Sequence, residues 1–408
     1  MPTIAQTRQD LLELFAAAVA AVNGRTRVRA ALEGQSLGDD VHVIALGKAA
    51  VPMMQGALDA LGSRIRDAVI VSKDAGGVTL PWPVIESGHP LPDARSLVAG
   101  ERVHAFSERI PPEAQVLVLL SGGASALAEK LVPGVDIAAL QRITHWMLAA
   151  GLDIATMNRI RKRLSLIKGG RLAQRLYPRR TLCLAISDVP GDDPRAIGSG
   201  PLVAEGGAES LPEQTPAFVR EALRQAAPLP TPDDACFGTV QFRIIATLAD
   251  AERAAAEAAV RHGYAAVAEP EFLSGDALVT GPRVAERLIS AEPGVIHIWG
   301  GETTVRLPEH PGRGGRNQSL ALAAALRLEG ADVVLLAAGT DGTDGPTEDA
   351  GALVDGGTVG RGAEQGLDAR AALAAAAAGT FLEAAGDLVH TGPTGTNVMD
   401  LIIGTRLA

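Results

Sequence analysis

The chain has 408 residues, length for two domains with large apolar cores, and its 47% hydrophobic and 21% charged residues exclude disorder over most of its length. A net charge of −10 with only 3% aromatic residues argues against a nucleic-acid binder, which carries a basic surplus. Two cysteines, Cys183 and Cys236, make neither a disulfide framework nor a metal cluster, and no apolar run reaches the length of a membrane span. A soluble cytoplasmic protein is expected, with a homo-oligomer left open.

The first stretch, MPTIAQTRQDLLELFAAAVAAV, reads as an amphipathic helix, because Arg8, Asp10 and Glu13 interrupt the uninterrupted apolar core that a signal peptide needs. VHVIALGKAA (41–50) is a strand ending at Gly47, with Lys48 opening a helix. A lysine there, beside helix N-terminal amides, meets an anion by point charge and dipole together. A solvent-facing lysine is the plainer reading of an isolated Gly-Lys, and the upstream glycine and following Ser or Thr of a P-loop are absent. DAVIVSKDAGG (67–77) is a second strand and turn, and ESGHPLPDARS (86–96) a loop holding His89.

VLVLLSGGASALAEK (116–130) is the clearest strand-to-helix switch. Small residues at Gly122, Gly123 and Ser125 let backbone approach a phosphate closely, while free amides donate to it. The basic stretch 157–180 reads mostly as a solvated face, with Lys168 and Arg171, which flank Gly169–Gly170, as the better candidates for anion contact. TLCLAISDVPGDDPRAIGSGP (181–201) is a buried strand leading to Asp188, a candidate general base toward a hydroxyl or a carboxylate supporting metal ligands. The segment 203–238, rich in Pro, Glu and Ala, reads as an interdomain connection plus a short helix.

FRIIATLADAERAAAEAAVRHGY (242–264) reads as the strand and helix opening a second α/β domain. VIHIWGGETTVRL (295–307) is a further strand, and GRGGRNQSLALAAAL (312–326) sets Arg316 and Asn317 at a helix start behind Gly314 and Gly315, where an arginine can grip phosphate or carboxylate in bidentate fashion. DVVLLAAGTDGTDGPTEDAGALVD (332–355) crowds Asp341, Asp344, Glu348 and Asp349 among glycines after an apolar strand. Closely spaced carboxylates on bendable backbone suit a hydrated Mg²⁺, which takes one or two carboxylates plus substrate phosphates; an acidic surface turn is the alternative. HTGPTGTNVMDLIIG (390–404) leads into a last strand.

No GxGxxG with its following acidic residue, no GxSxG, no CxxC and no paired histidines at metal spacing occur. Phosphate cradles, isolated cations and an acidic loop remain, the parts of a phosphoryl-transfer site.

The stretches ALGKAA, SGGASAL, RLSLIKGGRLA, SDVPGDDPRAIGSGP, GGETTV, GGRNQSLALA, AAGTDGTDGPTEDAGA and GPTGTNVMDL, in this order between Ala45 and Leu401, resemble the class II glycerate 2-kinases, also called the MOFRL type. The resemblance implies an α/β protein of two three-layer α/β/α domains with mainly parallel sheets: a Rossmann-like domain over 1–225 and a smaller MOFRL-type domain over 238–408, with the active site in the cleft between them. It implies ATP-dependent phosphorylation of D-glycerate at its 2-hydroxyl. The family's functional lysine falls on Lys48 and its functional arginine on Arg316. Three positions depart from the family pattern: Ala124 for a common glycine, Arg163 for a frequent histidine and Ser319 for a glutamate. On this reading Gly122, Gly123 and Ser125 cradle ATP phosphates, joined by Lys168, Gly314 and Asn317. Asp341, Asp344 or Asp349 hold Mg²⁺, Lys48 and Arg316 stabilise the moving phosphoryl group or the glycerate carboxylate, and Asp188 is the base. Two rival readings are a nicotinamide-dependent hydroxypyruvate reductase and a non-catalytic sensor of hydroxy acids.

Overall fold

The computed structural model describes residues 3–89, 91–206, 211–212 and 214–407. The chain divides into two compact units, residues 24–246 and residues 1–23 with 247–408. This differs from the expected 1–225 and 238–408, for reasons visible in the packing of each unit.

The 24–246 unit is built on six strands: β1 (Val41–Leu46), β2 (Ile65–Ser72), β3 (Val84–Glu86), β4 (Gln115–Leu120), β5 (Thr181–Ile186) and β6 (Val240–Ala246). They run parallel in the order β3-β2-β1-β4-β5-β6, the doubly wound order that leaves a crevice where the winding reverses, between β1 and β4. Both faces are covered, which is why the strands read as continuous apolar runs. Ile44, Leu46, Val116, Val118 and Leu120 pack on one face with Ala99, Val103 and Phe106 of the helix Ala94–Arg109. The alternate residues Val43, Ala45, Leu117 and Leu119 are equally buried on the other. There the helices Gly24–Leu32 and Ala50–Leu61 pack together, so closely that a Cβ on Gly56 would lie 2.2 Å from the Arg25 carbonyl oxygen.

The strand in 242–264 was expected to open the second domain, yet β6 completes the first sheet by pairing with β5. The segment 203–238, part of which lies outside the described residues, is likewise internal to this unit. Its helix Ala217–Arg224 buries Val219 and Leu223 against Leu140, Ile143 and Ile160. The basic stretch is not a solvated face either. Lys162 and Arg171 are buried, and these cations bind backbone carbonyls: Lys162 that of Arg195 at 2.9 Å, Arg171 that of Ala227 and Arg179 that of Pro111. They satisfy loop carbonyls that no ladder reaches.

The second unit holds β7 (Ala265–Ala268), β8 (Leu273–Asp276), β9 (Val295–Thr304), β10 (Val333–Gly339), β11 (Gly351–Asp355), β12 (Leu388–Val389) and β13 (Asp400–Arg406). Their order is β12-β11-β10-β13-β9-β7, with β8 on β9. The expectation of a mainly parallel sheet fails here: only β7 and β8 lie parallel to β9, and the pairings among β9 to β13 are antiparallel. The apolar runs misled because antiparallel strands covered on both faces lose the polar alternation by which such strands are recognised. Val333, Leu335 and Ala337 pack with the helices Ala277–Ile289 and Arg316–Leu328, while Val334 and Leu336, equally buried, point the other way.

The helix Ile4–Ala21 belongs to this unit, packing on the helix Leu248–Arg261 and on β10 and β13. Arg8 pins it, bridging the buried Asp355 at 2.5 Å and Asp387 at 2.8 Å; Arg361 neutralises the same two carboxylates from the other side. Charge-assisted hydrogen bonds at nearly buried carboxylates contribute about 2 kcal/mol. Arg8→Ala should therefore lower the unfolding free energy of this unit by about 2 kcal/mol in urea titrations. A loss under about 0.5 kcal/mol would mean that Arg361 alone suffices.

Candidate active site

In the 24–246 unit the loops after β1 and β4 meet at the point of reversed winding. Ser121 N donates to the Leu46 carbonyl at 2.9 Å, Lys48 N to the Gly122 carbonyl at 2.9 Å and Ala49 N to Ser121 Oγ at 3.0 Å. Gly47, at φ 125°, has no room for a side chain: a Cβ would fall 2.2 Å from Ser121 Oγ and 2.5 Å from its carbonyl oxygen. A Cβ on Gly123 would meet His89 at 3.1 Å and Lys48 Cγ at 3.2 Å, so both side chains flank that glycine.

Two further loops join this one. Ser125 Oγ lies 2.9 Å from Ser199 Oγ, while Gly169 N and Gly170 N donate to the carbonyls of Ser199 and Gly200 at 3.0 and 2.8 Å. Ala124, where the family favours glycine, is buried, and its Cβ would lie 3.3 Å from a Cβ on Gly198. Arg163 donates to the Leu223 carbonyl at 3.0 Å. Lys168 is buried in an ion pair with Glu129, itself 1% exposed. Both line a cavity of about 540 Å³ that also takes in His89, Gly123, Ser125 and Arg161. Burial lowers the Arg161 guanidinium from its ordinary value. Asp188, half-buried, follows β5 by two residues. Its neighbour Asp193 is committed elsewhere, since hydrogen bonds from Arg195 hold its carboxyl below the usual range.

In the second unit Arg316 opens its helix, as placed from sequence. Its guanidinium grips the buried Asp400 in bidentate fashion, Nε to Oδ2 at 2.6 Å and Nη2 to Oδ1 at 2.9 Å, and Nη1 lies 3.4 Å from Glu302. Burial works against this charge, but the hydrogen bonds and charge of Asp400 outweigh it and hold the guanidinium above its ordinary value.

The acidic loop is spent on the protein itself. Asp344, 1% exposed, accepts from Asn317 N at 3.0 Å and Gln318 N at 2.8 Å, so it caps the Arg316 helix from a distant part of the chain. Gly315 makes room for it: a Cβ there would sit 2.3 Å from the Asp344 carboxyl carbon. A Cβ on Gly314 would lie 3.1 Å from Gly379 N. Asn317 is buried with its Nδ2 3.5 Å from Asp344, and Ser319 is buried on the same helix. Asp349 pairs with Arg313 at 2.7 Å and with His390 Nδ1 at 2.8 Å. Asp341 accepts from Thr343 N and Oγ1, both at 3.0 Å, closing its own turn.

These carboxylates do not fit a protein-built Mg²⁺ site. Asp344 uses both oxygens on backbone amides, and Asp349 uses one on Arg313 and the other on the His390 ring. Among the described residues no group of three or more His, Cys, Asp or Glu is placed to hold a metal ion. Sequence reading did not single out Asp400 or Glu129; a buried partner across the fold leaves no local signal.

Comparison with known proteins adds a second line of observation. Residues 10–224 match the family described as a domain of unknown function, DUF4147, and residues 295–400 match the MOFRL family. A D-glycerate 2-kinase of Thermotoga maritima is 36% identical over 90% of this chain and 90% of its own. A glycerate 2-kinase of Pyrococcus horikoshii is 35% identical over 89% of this chain and 86% of its own. A putative hydroxypyruvate reductase of Agrobacterium vitis is 36% identical over 97% and 93%. The crystal structure of a glycerate kinase from Thermotoga maritima superposes with a TM-score of 0.85 at 34% identity, covering 98% of this chain and 99% of that one.

Burial pushes the Asp344 carboxyl up to about 7; the amides of Gln318 and Asn317 and the charge of Arg316 oppose this, and Asp400 adds to it. A carboxyl raised in the folded state favours folding fully below its unfolded value, about 4, and loses that contribution as pH rises through about 7. Asp344→Asn, which cannot ionise, should therefore gain stability relative to the parent between about pH 5 and about pH 8. Chemical denaturation at both pH values checks this, and a pH-independent difference would show that the carboxylate stays ionised.

Proposed function

Because the chain belongs to the MOFRL-type glycerate kinase family, we propose that it transfers the γ-phosphoryl group of ATP to the 2-hydroxyl of D-glycerate, giving 2-phosphoglycerate and ADP. The observation that carries this reading is the seat of Lys48 at the reversal point of the parallel sheet, its backbone hydrogen-bonded to the loop of Gly122 and Gly123. Ligands of open α/β sheets sit in that crevice. Phosphoryl transfer asks little covalent chemistry of a protein and much positioning and charge neutralisation, and an ammonium beside small residues supplies both.

On this proposal the loop of Gly122, Gly123 and Ser125 receives the phosphates, and Lys48 neutralises charge developing on the transferring group. Arg316, held in place by Asp400, offers its remaining N–H donors to the glycerate carboxylate or the phosphoryl group. Asp188 takes the proton of the 2-hydroxyl. Any Mg²⁺ would be held mainly by the nucleotide phosphates and would neutralise part of their charge. A cytoplasmic location fits the need for ATP, and the two buried cysteines are free thiols.

The reductase reading is not favoured. The strand order is one that dinucleotides use, but the turn after β1 is Gly47-Lys48-Ala49-Ala50, without the glycines that let a pyrophosphate approach the backbone.

An enolase-coupled assay should register the 2-phospho isomer directly, with ADP release matching it; product that needs a mutase first would sink the assignment of the 2-hydroxyl. Lys48→Ala should lower kcat by about 10²–10³-fold at unchanged Tm. Arg316→Lys, which keeps the charge and avoids leaving Asp400 unpaired, should lose at least roughly tenfold in kcat/KM because the planar fork is gone. Near-normal turnover in both variants would refute these roles.

A further inference from the structure

The kinase reading leaves open where the nucleoside half of ATP goes, and this inference rests on that reading. We propose that the 540 Å³ cavity beside Gly123 and Ser125 is the nucleoside pocket, walled by the helix Ile137–Ala149.

Size comes first. A cavity of about 540 Å³ lies in the range of sites for cofactor-sized ligands, and a three-carbon acid would leave most of it empty. Position comes second. Gly123 and Ser125 line it, so phosphates received at the reversal point lead straight into it. The character of the walls comes third. Ile137, Leu140 and Leu148 of the helix line it together with Leu91 and Pro92, while Gln141 and Thr144 add polar atoms. Leu148 and Leu91 are 62% and 72% exposed. Large apolar side chains held in water beside a cavity suit a flat ring that would cover them.

The buried ion pair supplies the specific feature. Glu129 Oε2 meets Lys168, but Glu129 Oε1 is buried with no hydrogen-bond partner. A buried acceptor left unmet is costly, and a buried ion pair rarely improves stability over apolar residues. A carboxylate oxygen of this kind repels the carboxylate of glycerate and accepts from a donor. A nucleoside brings such donors in its exocyclic amine and ribose hydroxyls. Arg161, on the same lining, balances the phosphate end.

Two measurements on the full chain test this. Photolabelling of the unaltered protein with 8-azido-ATP should place the label within Ile137–Ala149 or at Leu91–Pro92. Thr144→Trp, which fills the cavity, should weaken ADP binding in calorimetry by roughly tenfold while the KM for glycerate at saturating ATP stays unchanged. Label confined to other segments, ADP affinity unaltered in the folded variant, or a raised glycerate KM with normal ADP affinity would each overturn the proposal. The two readings fail separately: glycerate phosphorylation with label elsewhere removes the pocket and keeps the kinase, whereas ADP held in the cavity without phosphorylation removes the kinase and keeps the pocket.

Discussion

The loops around Lys48 depend on the close approach of Gly47 to Ser121, where a single added carbon would fall 2.2 Å from a hydroxyl oxygen. That closeness lets the loops after β1 and β4 share backbone hydrogen bonds. The crevice of the parallel sheet is thereby narrowed to small residues with Lys48 at its mouth. Parallel strands place their carboxyl ends on one side, and reversed winding keeps helices from covering the gap. The cradle is thus a product of topology and of one missing side chain acting together.

The second unit solves a related problem with charge. Four orphan amides at a helix start ask for an acceptor, and Asp344 answers from a loop that follows the next strand. Gly315 leaves the space in which its carboxyl sits. Arg316, one residue further, is then held between Asp400 and Glu302. A loop that looks made for a cation works instead as internal scaffolding for an arginine, with Asp349 tied to Arg313 and His390 in the same way. Carboxylates paired with backbone amides and cations are no longer available to a hydrated ion, however close they lie in sequence.

Much of the outline was legible. Strands ending in Gly-Lys and Ser-Gly-Gly, and a helix opening at Gly-Arg-Asn, were visible because apolar periodicity and glycine punctuation are local signals. The membership of β6 in the first sheet and of the helix Ile4–Ala21 in the second unit was hidden, since which unit receives an element depends on partners far along the chain. Strand direction in the second sheet was misread for a related reason: burial on both faces makes parallel and antiparallel strands look alike. The cations of 157–180 were misassigned to a solvated face, because a carbonyl partner such as that of Arg195 or Ala227 leaves no trace in local composition.

By itself the sequence determined the class of fold, the loops where chemistry gathers and, through a resemblance spanning Ala45 to Leu401, the family. Tertiary structure alone decided how each charge is used: Lys168 on Glu129, Arg316 on Asp400, Asp344 on the amides of Asn317 and Gln318. The physical reason is that residue type sets what a side chain can bind, whereas desolvation and distance, which exist only once the chain has folded, select which partner it meets.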